Sequence, residues 1–469
     1  MKSLGRRTFL KKSSQAGAAA FIGSWSLPER LNVKAGNDGR LIQKTKNPIC
    51  RVKKEITVAC PGFRMAPWNH MGYIGKGMRR EETFSFEQSS DWHMMHLRRI
   101  SEDNGHTWSE WIPIPQNDGL VQGQYTLSGG PTQFGCGQYD PVSGLLIKDV
   151  FQRIFRGAPQ VALQEIWKGN RYFWDHGFYQ LSADNGRSWG EAYQLKYEEG
   201  PDFDPADWGK NEWFSFNQMY KGNKPIVLKN GTVVISATVP VLFNDAEDMK
   251  YPTFDNYKNG CVAGAMCFIG KWNKEDQNYR WKKSNSVFLP RQVSSRGLYE
   301  LELSEFTNGC LLLIMRGSNE SLDITSSPGR LWFSVSKDGG HTWSAIKDMR
   351  YDTGEQFYAP SSISKTIRSS KTGKLYWVGN ISNVPPRGNS PRYPLLIVEI
   401  DENGPSFKKD TVTVIDDRDP EHDSEHVQLS NFSLLEDRET QNMEIYLTRL
   451  GENADDWRNA NAYKYTLIF

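Results

Sequence analysis

The sequence predicts an all-β protein assembled from repeated units of about four strands. Two recurrences carry this reading. A turn octapeptide occurs three times, and the order apolar strand, turn, apolar strand occurs four times within the 469 residues. No segment sustains a helical period, which argues against alternating α/β architectures. Aromatics at 12%, with 41 Gly and 23 Pro, describe a folded, turn-rich chain rather than a disordered one.

In chain order, the first element is Gly5-Arg6-Arg7-Thr8-Phe9-Leu10-Lys11, followed by a mildly apolar stretch, Ala16 to Gly23. A basic segment before a short apolar one reads as a secretory signal. The paired arginines before Phe-Leu-Lys resemble the twin-arginine export motif, with Gly5 where that motif usually has Ser or Thr. Residues 1–40 are therefore expected to be a leader and 41–469 a single domain. The resemblance implies a bacterial protein exported already folded, to the periplasm or beyond.

Strand-rich stretches then group at about 56–112, 129–195, 213–285, 298–349, 357–405 and 427–469. Within them, Ile226 to Ile235 turns at Asn230-Gly231, Leu301 to Ile314 at Asn308-Gly309, and Ile367 to Val378 at Gly373. Phe432 to Leu435, a polar loop and Met443 to Leu447 repeat the pattern. Each reads as the inner two strands of a four-stranded unit. Tyr463 to Phe469 reads as a last strand that closes the set.

The octapeptides are Ser101-Glu-Asp103-Asn-Gly105-His-Thr107-Trp108, Ser182-Ala-Asp184-Asn-Gly186-Arg-Ser188-Trp189 and Ser336-Lys-Asp338-Gly-Gly340-His-Thr342-Trp343. Asn-Gly and Gly-Gly supply positive φ, the Asp carboxylate can accept backbone N–H groups, and the Trp can close over the turn. They resemble the Asp-box (BNR repeat) of the sialidase (neuraminidase) superfamily. That resemblance implies a six-bladed β-propeller; since the box is structural, it speaks for fold more than for activity.

Candidate chemistry begins at Glu300, which heads one strand while Arg316 ends its neighbour. Antiparallel pairing brings the two to one end of the hairpin, where they could grip an anionic sugar or polarise a leaving group. The stretch is similar to the sialidase hairpin that carries a catalytic Glu and a carboxylate-binding Arg. An ordinary buried ion pair is the competing reading. Phe63-Arg64-Met65-Ala66-Pro67 resembles the sialidase motif whose Arg holds the substrate carboxylate, with one extra residue before Pro67. Asp91 falls where the family places its acid/base Asp, with His93 and His96 as rivals. For a third carboxylate-binding group, Arg368 is the choice, ahead of Lys365 and Arg392.

The decisive departure from the family lies in the last unit. A sialidase has a nucleophilic Tyr just before the Ser-Leu strand of its last blade. Here the stretch is Ser430-Asn431-Phe432-Ser433-Leu434, with Asn431 at that position, and an amide is no nucleophile toward an anomeric carbon. Either Asn431 is not the residue that corresponds to the Tyr, or another tyrosine such as Tyr358 fills the site, or the chemistry is not that of a retaining sialidase.

Three functions are thus open. One is an exo-acting hydrolase removing a terminal acidic sugar, with Glu300 and Asp91 catalytic and Arg64, Arg316 and Arg368 binding the carboxylate. The second is a lyase on uronate-containing glycans, using His93, His176 or a Tyr as base. The third is a carbohydrate-binding propeller without catalysis. A formal charge of +2 gives no electrostatic case for nucleic acid as a partner. No run of eighteen apolar residues is present, so no spanning helix is expected. The six cysteines have no zinc-type spacing and read mainly as buried small side chains, so neither metal nor cofactor is expected.

Overall fold

Six antiparallel sheets are arranged as the blades of a β-propeller. The computed structural model describes residues 48–469 apart from 61–65, 90–91, 115–119, 130–135, 159–160, 162–172, 211, 215, 243–260 and 321. The export motif at Arg6 and Arg7, and with it the proposed leader, lies outside the described residues, as do Arg64 and Asp91.

Blades 1 to 5 follow the chain. Blade 1 is Ala66–Tyr73, Arg80–Ser89, Trp92–Ser101 and Ile112–Pro113; blade 4 is Tyr299–Glu305, Leu311–Arg316, Leu331–Ser336 and Lys347–Asp348. Blade 5 begins at Lys365–Arg368 and blade 6 at Ser433–Glu436. Apolar side chains fill the layers between adjacent blades. Leu301, Leu303, Leu311 and Leu313 pack against Val234 and Ile269 of blade 3, while Leu312 and Ile314, on the other face of the same sheet, pack against Trp377 and Val398 of blade 5. The alternation along each strand supplies both layers at once, because successive side chains leave opposite faces.

The ring closes differently from the sequence expectation. Ala462–Ile468 is the third strand of blade 6, and the strand that completes that blade is Arg51–Val58, in register from Arg51 opposite Ile468 to Ile56 opposite Tyr463, with a shift before Val58 pairs with Ala462. Residues 56–58, grouped with the first unit in the sequence reading, thus belong to blade 6. Lys54 anchors it there, donating to Asp416 at 2.9 Å, and Arg449 reaches the same carboxylate at 3.1 Å.

The three octapeptides occupy equivalent turns between the third and fourth strands of blades 1, 2 and 4. In the last of them the Ser336 hydroxyl donates to Asp338 at 2.8 Å and accepts the Gly340 N–H at 2.9 Å, while Asp338 accepts from the Thr342 N–H and hydroxyl at 2.9 and 2.6 Å. The other two copies repeat this pattern around Asp103 and Asp184. Positive φ at Asn104 and Gly105 (63° and 91°) and at Gly339 and Gly340 (72° and 96°) is what these turns require of the chain. Hydrogen bonds from Thr107 hold Asp103 down to about 2, and those from Thr342 outweigh partial burial to hold Asp338 there as well.

Candidate active site

Strand direction decides which side chains can meet. Tyr299 pairs with Arg316, so the start of the first strand and the end of the second strand of blade 4 share one end of the propeller. Loops between second and third strands emerge at that end too, whereas the octapeptide turns lie at the other. A cavity of about 1,810 Å³ follows the axis from this mouth inward.

Glu300 and Arg316 both line it, with Arg316 Nη1 2.6 Å from Glu300 Oε1. Their side chains are only 16% and 13% exposed. Burial works against the Arg316 charge, but the Glu300 carboxylate outweighs it and raises the guanidinium above its ordinary value. The other carboxylate oxygen, Glu300 Oε2, is buried and has no hydrogen-bond partner among the described residues. The backbone here is unusual: Glu300 has φ of 47°, at an irregularity of register between Tyr299 and Glu302. A non-glycine residue held there costs roughly 1–3 kcal/mol, and such strain concentrates at functional sites. It also turns Glu300 out of the alternation that would otherwise bury it between blades.

Two tyrosines stand beside this pair. Tyr299 and Tyr220 line the same cavity, their rings meet edge to face at 5.8 Å, and both act electrostatically on Arg316. Arg316 also donates to Asn389 at 3.4 Å. Two further arginines share this wall. Arg296 faces Glu320 at 3.4 Å, and Arg392, on the loop between the second and third strands of blade 5, donates to Gln428 at 2.8 Å and to the Ser361 carbonyl at 3.0 Å. Asn319, on the loop between the second and third strands of blade 4, ties that loop to the one carrying Arg392, donating to the Pro386 carbonyl and accepting from the Gly388 N–H, both at 2.8 Å.

Arg368 does not join them. Its guanidinium is held by Glu402 at 2.7 and 2.9 Å and by the Glu305 carbonyl at 3.1 Å, and it is absent from the cavity wall. Alternation explains why: Lys365 and Ile367 face the channel, so Arg368 faces away. Asn431 is on the wall, at φ of 58°. Tyr358 is not; it lies under Arg330 at 5.2 Å. His176 is fully buried with its ring 4.2 Å from Trp213, and neither it nor His96 lines the cavity. The His93 side chain lies outside the described residues.

Deeper in, the channel is belted by charge. Burial pushes Lys148 and Lys365 down to about 8 and raises Glu81 and Asp149 above the usual carboxylate range. The Cys136 thiol, 3.7 Å from Glu81, is raised by burial as well. Five cysteines, Cys50, Cys60, Cys136, Cys267 and Cys310, are unbridged, and Cys50 and Cys267 are buried as small side chains. No group of three or more His, Cys, Asp or Glu suited to a metal is found among the described residues.

Arg296, Tyr220 and Tyr299 carried no signal in the sequence, since none lies in a motif. Tyr299 adjoins Glu300 in the chain, and the edge position of that strand is the one cue that was available.

No protein-family model matches the chain, and no curated protein matches it. Solved structures do. A mutant of the NanB sialidase from Streptococcus pneumoniae is 12% identical, the match covering 86% of this chain and 68% of that one with a TM-score of 0.50. A protein of unknown function from Dyadobacter fermentans DSM 18053 is 13% identical over 92% of this chain and 100% of its own, at 0.51. A Hadza microbial sialidase is 14% identical over 86% and 66%, at 0.51. The chain spans about two thirds of the length of these two sialidases, and at such identities the likeness is one of fold.

Proposed function

We propose that this propeller is an exported glycoside hydrolase that removes a terminal acidic sugar from a glycan. The observation that carries the proposal is Glu300, held by Arg316 through one oxygen and left with the other unpartnered at the channel mouth. A buried acceptor without a partner costs free energy unless a ligand or water satisfies it, so its persistence suits a site that waits for a donor.

The sugar carboxylate is received by guanidiniums. Arg316, Arg392 and Arg296 share the wall, and their planar forks match a carboxylate in two-point contact. Arg64 is a further member of the set in this proposal. Arg368 is replaced in it by Arg392, for the reason of strand alternation given above.

With Asn431 in place of a nucleophile, the step is direct displacement by water. Glu300 takes a proton from that water as its oxygen bonds the anomeric carbon. Asp91 gives its proton to the glycosidic oxygen as that bond breaks. One water is consumed, and the sugar leaves with inverted configuration. The likeness to sialidase propellers supports the scaffold for such a reaction.

Tyr220 and Tyr299 beside Arg316 favour a second reading, β-elimination, in which a tyrosine oxygen removes the proton next to a carboxylate neutralised by Arg316. The glycosidic bond then breaks, the leaving oxygen taking that proton from the tyrosine, and an unsaturated sugar remains. Sialosides and uronate-capped oligosaccharides, followed by proton NMR and ultraviolet absorbance, separate the two. Release of a saturated acidic sugar, abolished in Glu300→Gln, is expected. An unsaturated product would overturn hydrolysis, and tight binding without any product would leave a binding protein.

Export rests on Arg6-Arg7 and the apolar stretch after them. No helix among the described residues is long and apolar enough to cross a membrane. Replacing both arginines with lysine is expected to leave the precursor in the cytoplasm; unchanged export would refute the twin-arginine route.

A further inference from the structure

The inner strand of blade 3 is interrupted where it faces the channel. Tyr220–Lys221 and Ile226–Val227 both pair with Val233–Leu242, and residues 222–225 between them line the cavity. A Cβ on Gly222 would stand 2.0 Å from the Ser236 hydroxyl oxygen and 3.1 Å from the Leu301 carbonyl oxygen, so only glycine lets the chain lie this close to blades 3 and 4. Asn223 then ties three blades together. Its N–H donates to the Leu301 carbonyl at 2.9 Å, and its side-chain amide donates to Glu302 at 2.6 Å and to the Ser364 carbonyl at 2.8 Å. Lys224 and Lys365, each next in the chain to a partner in that tie, are thereby fixed on the channel wall. Glu302 marks their level, two residues along the strand from Glu300 and so roughly 6–7 Å farther from the mouth.

The charges at this level do not cancel. Asp149 lies 3.9 Å from Lys221 and Glu81 lies 3.8 Å from Arg98. Lys148 stands over the Trp189 ring at 4.3 Å and is drawn by Glu81. Glu302 is only 2% exposed and already accepts from Asn223, and from the N–H and hydroxyl of Thr366 at 2.8 and 2.7 Å. The ammoniums of Lys224 and Lys365 make no hydrogen bond or salt bridge among the described residues, and Lys224 and Lys221 both repel the Lys365 charge. Lys365, at about 8, still carries that charge at pH 7. A cation held in a recess beside two others costs free energy that a bound anion would offset.

We propose that Lys224 and Lys365, backed by Lys221, form a second anion site inside the channel, for an oxyanion of phosphate or sulfate type, free or as a monoester. An ammonium is a point charge with three rotating donors, which suits a tetrahedral oxyanion, whereas the planar arginine forks at the mouth suit a carboxylate. The channel therefore holds two anion sites of different chemistry, one above the other along blade 4.

The test is titration calorimetry at pH 7 with inorganic phosphate, and separately with galactose 6-phosphate against galactose. One phosphate per chain is expected, with Lys224→Met and Lys365→Met each weakening it about tenfold or more and Arg316→Met leaving it within twofold. No binding by the wild type at millimolar phosphate, or equal binding by the lysine variants, would overturn the proposal. Loss in Arg316→Met would place the anion at the mouth and overturn it too. Circular dichroism and Tm separate loss of the ligand from loss of the fold, and Lys224→Gln, at an exposed position, decides the matter should Lys365→Met not fold. Galactose 6-phosphate bound more tightly than inorganic phosphate, with the same dependence on the lysines, assigns the site to an ester carried by a glycan. Inorganic phosphate bound as tightly or more so assigns it to the free ion. Neither arm reads turnover, so the result stands apart from the hydrolase reading.

Discussion

Removing the charge of Glu300 separates a catalytic carboxylate from a structural ion pair. The pair is short, 2.6 Å, and mostly out of water, with 16% and 13% of the two side chains exposed. At ~4 Å between charge centres and an effective dielectric of ~20, the attraction is roughly 4 kcal/mol, most of it offset by desolvation of both ions. Breaking such a pair from one side costs about 3–5 kcal/mol, because the remaining charge stays buried. Glu300→Gln keeps the shape and one oxygen near Arg316, so the loss should fall at the lower end, ~3 kcal/mol. For a domain of this size that lowers Tm by about 3–4 °C. Arg316→Met should cost as much, and the double variant less than the sum, with a coupling of at least ~1.5 kcal/mol in chemical denaturation. Turnover follows a different pattern: Glu300→Gln should cut kcat by about 10²–10⁴ with little change in KM, as expected for a lost general base. Additive stability losses would show that the pair is not a desolvated one. Turnover of Glu300→Gln within threefold of the wild type would remove Glu300 from the chemistry.

Other predictions concern pH, the turns and the third arginine. Lys148 and Lys365 titrate near 8 when folded and near ~10.4 when unfolded, so between those values the unfolded chain binds more protons and stability rises with pH. Urea midpoints of the wild type should therefore climb from pH 8 to 10 more steeply than those of a Lys148→Met, Lys365→Met variant; equal slopes would refute the burial argument. Ser336→Ala leaves the buried end of its turn without the acceptor for Gly340. A loss of ~1–3 kcal/mol is expected with unchanged kinetics, and altered kcat/KM would contradict the placement of that turn away from the mouth. Arg392→Ala should raise KM for an acidic glycoside at least tenfold while Arg368→Ala leaves it within twofold, as initial rates would show.

The strand pairs of blades 3 to 5 were legible because a glycine turn between apolar runs marks the reversal, as at Asn230-Gly231 and Asn308-Gly309, and that of blade 6 because a polar loop separates two apolar runs. The closing strand was not. Lys53, Lys54 and Glu55 break the apolar pattern of 51–58, and what seats that strand is its ladder to Ala462–Ile468, a partner some four hundred residues away that no local signal identifies. Glu300 and Arg316 were legible from the two ends of one hairpin. Arg368 stands away from the cavity because its nearness in sequence to the Gly373 turn, the ground for choosing it, does not say which face of the strand it takes. Glu302, Thr366 and Ser304 form the buried side of that interface, with Thr366 donating to Glu302 at 2.7 Å and sharing a 2.5 Å hydrogen bond with Ser304. Arg368, two residues on from Thr366, follows the same face outward to Glu402.

This division of faces also explains how one blade can carry both stability and chemistry. In blade 4, Leu311 to Met315 are buried in the layers toward blades 3 and 5. The octapeptide turn ends the sheet at one pole, and Glu300 with Arg316 ends it at the other. The strained backbone at Glu300 is tolerated because it interrupts the ladder only between Tyr299 and Glu302, leaving the pairing from Glu302 to Glu305 intact. The same separation holds in blade 6, where Asn431 at positive φ precedes a regular strand, Ser433–Glu436. Both left-handed residues therefore sit at the entry to an inner strand, Glu300 as the second residue of Tyr299–Glu305 and Asn431 two residues ahead of Ser433–Glu436, on the cavity wall. There a side chain is turned toward the axis at a local conformational cost of a few kcal/mol while the layers between blades stay filled. Chemistry at this mouth can vary with the residues at those two steps and with the loops around them, without a change in the packing that holds the ring.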